Sequence, residues 1–250
     1  MSNISVLIAA GGMGTRSGLK YPKTLYVVNG KPILHRLHSL FRNYDQCPKI
    51  IVSPKGKSSI KEFLRLNSLD AELIIQKDPK GMGDAVLQSR QSINISNNCE
   101  HIILSWSDIP FLSKSTLNFL VKNHLESQND FSFITADAIK PYTFVERNSD
   151  NELCRVIETR ETSKEVPIPS YGERDIGLFM FKKNIVFNTL LSNSKNKFGK
   201  VTGEHGFLYI IEEILKLGGK VNAYKIAKKQ ELLSFNTADD LKQIQRFADK

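Results

Sequence analysis

The sequence predicts an α/β fold, a mostly parallel central sheet flanked by helices, followed by a smaller mixed β region. Two observations predict it. Short apolar runs rich in β-branched residues occur at Val6–Ala10, Lys49–Ser53, Glu72–Gln76, His101–Ser105 and Phe131–Ala136. They are too short for core helices and suit buried parallel strands. Between them, segments starting at Pro32 and spanning Ser58–Leu66, Asp84–Ile93 and Ser115–Leu125 carry helical spacing, which gives the alternation of a βαβ chain.

The first strand runs into Gly11, Gly12 and Gly14. Glycines this dense let backbone N–H groups approach a ligand with no Cβ in the way, so the loop is suited to cradling phosphates. Thr15, Arg16 and Lys23 add a hydroxyl and two cations fitted to a polyanion. The spacing is not G-x-x-x-x-G-K-[ST], and G-x-G-x-x-G fails because Gly12-Met13-Gly14 leads to Ser17. After apolar Leu25 to Val28, Asn29-Gly30 is a turn and Pro32 takes the first position of a helix. Ile33, Leu34, Leu37, Leu40, Phe41 and Tyr44 form that helix's core-facing stripe.

Gln76 ends an apolar strand, and Gly81-Met82-Gly83-Asp84-Ala85-Val86 opens the next helix. A Gln here also has a plain role as a strand cap. Ile102 to Leu104 release Asp108 just past their strand, where an aspartate is otherwise a turn residue. Parallel sheets bind ligands outside the carboxyl ends of their strands, so the glycine loop, Gln76 and Asp108 are expected to share one cleft. Beyond Pro141 the alternation weakens into β-like stretches around Asn148–Asn151, Leu153–Glu158 and Ile176–Phe181, a mixed region expected to cover the cleft's other side.

The 250 residues suffice for one large α/β domain. A hydrophobic content of 40% with 24% charged residues is ordinary for a globular chain and argues against disorder. No apolar run nears the ~20 residues that span a bilayer. The N-terminus lacks a secretory pattern, and Cys47, Cys99 and Cys154 lack metal spacing, so a cytoplasmic, reduced protein is expected. A net charge of +9 admits nucleic acid or small polyanions as partners. The lysines are scattered and no nucleic-acid-binding signature is present, which favours small anions.

Ala9-Ala10-Gly11-Gly12-Met13-Gly14-Thr15-Arg16, followed by Pro22-Lys23, resembles the signature loop of the sugar-phosphate nucleotidyltransferases. Later segments extend the resemblance over roughly the whole chain. Gln76 with Gly81-Met82-Gly83 is similar to the family's Q-x-x-x-x-G-T-G, with Met for Thr. Ser107-Asp108-Ile109-Pro110 is similar to G-D-x-P, with Ser for Gly. Cys154–Glu158 resembles V-x-x-I-v-E, Glu173–Gly177 resembles E-I-N-x-G with Asp175 for Asn, and Leu233–Leu241 resembles the closing G-x-N-x-x-x-x-L. Within the family, the match is nearest the uridylyltransferase domain of bifunctional enzymes that make UDP-N-acetylglucosamine.

The resemblance implies a Rossmann-like nucleotidyltransferase fold and Mg²⁺-dependent joining of a nucleoside triphosphate to a phosphorylated small molecule such as a sugar 1-phosphate. UTP is favoured, with CTP or dTTP behind it. It implies Arg16 and Lys23 as catalytic cations. Ala10, Gly11, Gly12, Gly14, Thr15, Gln76, Gly81 and Asp108 are implied to bind nucleotide, and Asp108 and Asn236 to hold Mg²⁺. Glu158 and Asp175 are implied on the acceptor side, although an ion pair for Glu158 and a helix N-cap at Thr237 beside Asn236 are equally open readings. Val145, Glu146 and Asp175 replace residues that hold the acetamido sugar, so N-acetylglucosamine 1-phosphate is expected to be a poor acceptor.

One domain is expected, with a nucleotide-binding half over about 1–140, an acceptor half over about 141–235 and a closing segment at 236–250. No acetyltransferase repeat is expected, since none is visible before Lys250. The competing readings are an inactive nucleotide-sugar-binding regulator, which intact Arg16, Lys23, Asp108 and Asn236 disfavour, and a basic binding module.

Overall fold

Strand β1 (Ile4–Ala9) lies inside the sheet because alternate residues bury on opposite faces, Val6 and Ile8 toward one core and Leu7 toward the other. The computed structural model describes residues 3–13, 18–162 and 169–248. After the glycine loop, β2 (Val27–Val28) and β3 (Lys31–Pro32) form a small hairpin. Its turn is Asn29-Gly30, with φ of 46° and 71°, the doubly left-handed turn that this dipeptide favours. Pro32 therefore belongs to an extended strand and precedes α1 (Ile33–Phe41), rather than occupying the helix's first turn as expected.

The chain continues through β4 (Lys49–Val52), α2 (Pro54–Leu66), β5 (Glu72–Ile75), α3 (Met82–Gln88), α4 (Ile93–Asn98), β6 (His101–Trp106) and α5 (Lys114–Glu126). Helix α2 starts before its apolar stripe because Ser53 caps it, its Oγ accepting from Gly56 N at 3.3 Å, with Pro54 in the first turn. Then come β7 (Phe131–Ile139), β8 (Thr143–Arg147), β9 (Leu153–Glu158), β10 (Tyr171–Lys182), α6 (Lys183–Leu191), α7 (Ile210–Lys216), β11 (Val221–Lys225) and α8 (Ala238–Ala248). The β-like reading of Asn148–Asn151 is corrected. This is the β8–β9 turn, in which Asn148 Oδ1 accepts from Asp150 and Glu152 N–H groups and Asn151 has φ 63°.

Among the described residues the main sheet has seven strands in the order β11-β7-β10-β6-β1-β4-β5. β1 pairs parallel with β4 and β6, and β4 with β5, while β10 runs antiparallel between β6 and β7. The sheet separates two cores. On one face α1, α2 and α5 bury Leu37, Phe41, Ile60, Leu64, Leu117 and Leu120 over Val6, Ile8 and Ile103. The other holds an aromatic cluster in which Phe131 stacks on Phe181 at 5.7 Å and Phe207 meets Phe179 edge-on at 5.5 Å. Phe207 thereby ties an irregular segment to the sheet.

Buried at the sheet's far end, His101 Nδ1 and His124 Nε2 lie 3.0 Å apart, and His124 Nδ1 is 2.9 Å from Ser132 Oγ. Burial pushes the His124 pKa down to about 3, so this imidazole is neutral in the folded protein.

Candidate active site

The carboxyl ends of β1, β4, β5 and β6 open on one cavity of about 910 Å³. Ladder hydrogen bonds continue past the strand ends, with Ala10 N donating to Ile51 O at 2.8 Å, Gln76 N to Val52 O at 2.9 Å and Ser107 N to Ala9 O at 3.3 Å. These bonds fix where the next residues emerge, so Gly11, Gly12, Ser53, Gln76, Lys77, Ser107 and Asp108 line the cavity. Ala10 does not line it. Its N–H is committed to the sheet and its side chain is buried between cavity-lining Ala9 and Gly11. Gly14, Thr15 and Arg16 lie outside the described residues.

Lys23 is the centre of the site. Its Nζ donates to Asp108 Oδ2 at 2.5 Å, to Asn236 Oδ1 at 3.1 Å and to Phe235 O at 3.1 Å. Phe235 N donates to Asp108 O at 2.9 Å, which binds the closing segment to the end of β6. Three residues from distant parts of the chain therefore converge on one point. Gly12 admits the lysine stem, since a Cβ there would stand 2.9 Å from Lys23 Cε. Asp108 Oδ1 is buried with no hydrogen-bond partner among the described residues. A buried, orphaned carboxylate oxygen beside an amide oxygen is a donor set that fits a hard divalent cation completed by phosphate and water. Asn236 keeps its side chain available because the turn before α8 is capped by its neighbours. Thr237 Oγ1 accepts from Asp240 N at 3.2 Å, and Asp240 Oδ2 accepts from Asn236 N and Thr237 N.

On the wall formed by β4 and β5, Gln76 Nε2 donates to Gly81 O at 3.0 Å and to Asp84 Oδ2 at 2.8 Å. Both amide protons are thus engaged, and Oε1 lies on the side of Gly11. Lys55 and Lys77 bring positive charge to the same wall.

The opposite wall comes from β6, β8, β9 and the segment before α7, and includes Trp106, Thr143, Glu158, Arg160, Glu204 and Phe207. Thr143 and Glu158 are cross-strand partners. Burial pushes the Glu158 carboxyl up, opposed by Arg160, whose Nε donates to Glu158 Oε2 at 3.0 Å and whose Nη2 donates to Glu204 Oε2 at 3.1 Å. Glu158 is thus ion-paired and also lines the cavity. The two walls are latched by backbone. His205 N donates to Lys80 O at 2.6 Å and Gly83 N to His205 O at 3.0 Å. A Cβ at Gly81 would lie 2.3 Å from His205 O and one at Gly83 2.1 Å from Gly206 O, so only glycine permits this approach.

Asp175 is placed beneath this wall rather than on it. It is fully buried, accepting from Thr143 Oγ1 at 2.5 Å and from Gly177 N at 2.7 Å, so its expected acceptor contact is corrected to support of Thr143. Burial raises its pKa. Glu146 pairs with Arg155 on the outer face of the β8–β9 hairpin, and Val145 is buried in the core. These departures from the acetamido-sugar pattern therefore do not face the cavity, and they give no ground for expecting that sugar to be excluded.

A glycine-rich strand end, a lysine–aspartate–asparagine cluster and a two-walled cavity are what this α/β domain presents at the carboxyl edge of its sheet. The chain belongs to the family described as the MobA-like NTP transferase domain, whose model matches residues 6–166. Bifunctional protein GlmU of Lactobacillus johnsonii is 29% identical over 238 residues, covering 94% of this chain and 49% of that protein. GlmU of Fervidobacterium nodosum is 27% identical over 238 residues, covering 92% and 50%. The chain spans about half the length of these curated relatives. A UDP-glucose pyrophosphorylase solved with UDP-glucose superposes with a TM-score of 0.75 at 17% identity, covering 99% of this chain and 98% of that one. A nucleoside-diphosphate-sugar pyrophosphorylase from Vibrio cholerae RC9 gives 0.71 at 13% identity, covering 96% and 99%. At such identities the likeness is one of fold.

Proposed function

We propose that the cavity joins a nucleoside triphosphate to a phosphorylated small molecule, a sugar 1-phosphate being the leading class, and releases pyrophosphate. The observation that supports it most is the convergence of Lys23, Asp108 and Asn236 at the foot of the glycine loop, opposite a polar second wall. An acceptor phosphate oxygen attacks the α-phosphorus in line, the bond to the β-phosphate's bridging oxygen breaks, and pyrophosphate leaves. No protein nucleophile is needed. The difficulty is electrostatic, because two unit charges ~4 Å apart repel by about 4 kcal/mol at an effective dielectric of 20. Lys23, with Arg16 from the same loop, offsets this repulsion and stabilises the charge on the transferred group.

Asp108 and Asn236 are the residues that would hold Mg²⁺, which when bound neutralises phosphate charge and orients the triphosphate. UTP is the preferred nucleotide, with CTP and dTTP next. With both Gln76 amide protons engaged, Oε1 is left to accept from a base, and uracil and thymine offer N3–H while cytosine offers its amino group. Thr143, Glu158, Arg160 and Glu204 bind the acceptor's hydroxyl groups. No helix among the described residues is long and apolar enough to cross a membrane, and we place the reaction in the cytoplasm.

The test is a pyrophosphate-release screen crossing four nucleoside triphosphates with a panel of phosphate monoesters that includes N-acetylglucosamine 1-phosphate. Turnover with UTP and a sugar 1-phosphate is expected. Release with none of the pairings, or a clear preference for ATP or GTP, would sink the reading.

A further inference from the structure

The Lys23 ammonium has three N–H donors, and all three are taken, by Asp108 Oδ2, Asn236 Oδ1 and Phe235 O. In this arrangement it has none left for a phosphate. Two of its acceptors are the oxygens assigned above to the divalent cation. A compact ammonium held by a carboxylate and two neutral oxygens is, in charge and ligand type, a stand-in for such a cation. The pair is also well shielded, the Lys23 and Asp108 side chains being 16% and 8% exposed, so an uncompensated Asp108 carboxylate would be costly there.

We infer that the Lys23 ammonium and a divalent cation compete for one position on Asp108 and Asn236, so that Lys23 holds the metal's place until a metal–triphosphate arrives. This rests on the reading of Asp108 and Asn236 as metal ligands. Lys23 neutralises Asp108 while the site is free of nucleotide. On exchange it gives up its three bonds and turns its ammonium to the phosphates, while its backbone N, which donates to Gly12 O at 3.2 Å, keeps its stem beside the glycine loop. The exchange ties two events together. The ammonium becomes available to the triphosphate only when another cation has replaced it, and in the absence of nucleotide the site disfavours free metal.

The test titrates Mn²⁺ into the full chain and follows free Mn²⁺ by electron paramagnetic resonance, without nucleotide and with a non-hydrolysable α,β-methylene UTP analogue. Without nucleotide, Lys23→Met should bind one Mn²⁺ at least about 10-fold more tightly than wild type, since removing the ammonium leaves an uncompensated carboxylate for the metal. Asp108→Asn should abolish that gain. Lys23→Met binding no tighter than wild type would overturn the exchange, while Mn²⁺ uptake by wild type with the analogue would keep the metal site itself. If no protein took up Mn²⁺ beyond the analogue alone, the metal reading would fall and the exchange with it. Should Lys23→Met not fold, wild type decides: millimolar Mg²⁺ should raise its Tm with the analogue present and not without it. An equal rise in both cases would contradict the inference.

Discussion

Lys23 and Asp108, 85 positions apart in sequence, meet at 2.5 Å where the glycine loop faces the end of β6. The contact joins a cation and a carboxylate at the foot of the cavity. Asn236 completes the point from the other end of the chain.

Asn236→Ala removes one oxygen from this point but leaves Asp108 and the Asp240 cap in place. Turnover is expected to fall about 10²-fold, the scale of losing one electrostatic stabiliser, with little change in stability. Asn236→Asp should retain activity. Steady-state kinetics with thermal melts on both variants check this. A loss in Asn236→Ala that comes with a collapse of Tm would assign Asn236 a structural role.

Asp84 was not singled out by its residue type, yet it holds the Gln76 amide and also accepts from Gln88 Nε2 at 3.2 Å. Freed of it, the amide can rotate and present its donors instead of Oε1. Asp84→Ala should raise KM for the triphosphate about 10-fold while leaving KM for the acceptor unchanged, because only binding on one wall is lost. Equal changes in both KM values would show that Asp84 supports the cavity as a whole.

Gly83→Ala places a Cβ 2.1 Å from Gly206 O and 2.8 Å from His205 Cδ2. The latch between the walls must open to admit it, which should cost about 1–3 kcal/mol, the usual range for forcing an extra methyl into a packed site. Urea denaturation measures the loss. Because Gly206, Phe207 and Leu208 form part of the second wall, KM for the acceptor should rise as well. An unchanged midpoint would mean that the two segments separate freely.

The buried histidine pair gives stability a pH dependence. The folded-state pKa of His124 is pushed down to about 3 by burial, from an ordinary value of 6.5. Between these values the unfolded chain binds a proton that the folded chain refuses, so stability is complete above about pH 6.5 and falls as pH drops toward 3. At about pH 5.5 the loss from this one group is on the order of 1 kcal/mol, and His101, also lowered by burial, acts in the same direction. Tm measured from pH 7.5 to 5.5 should fall in the wild type and fall less in His124→Asn.

Most of the sheet was legible because β1, β4, β5 and β6 are short apolar runs, whereas β11, which pairs parallel with β7, is largely polar and half-buried and gives no such signal. The candidate site was legible because its polar residues follow those runs, as Gln76 follows β5 and Asp108 follows β6. What stayed hidden depends on parity and on contacts across long separations. Glu146 and Thr143 sit on one strand three residues apart and so face opposite sides of the hairpin, but the register that decides which side is the cavity comes from pairing with β9. Asp175 reads as a polar residue in a site motif, whereas Thr143 and the Gly177 N–H absorb its carboxylate inside the sheet. Arg160, Glu204 and Phe207 come from irregular segments with no periodicity to read. Their one sequence signal, glycines at 81 and 83, predicts a close backbone approach without naming the partner.

The most direct test of the site is pyrophosphate release by Asp108→Asn, set beside wild type with saturating triphosphate, acceptor and Mg²⁺. Circular dichroism on the same samples should show that both are folded. The charge of the proposed metal pair rests on this carboxylate, so turnover should drop by about 10³-fold or more. Near-normal pyrophosphate release by folded Asp108→Asn would contradict the account and place the reaction elsewhere.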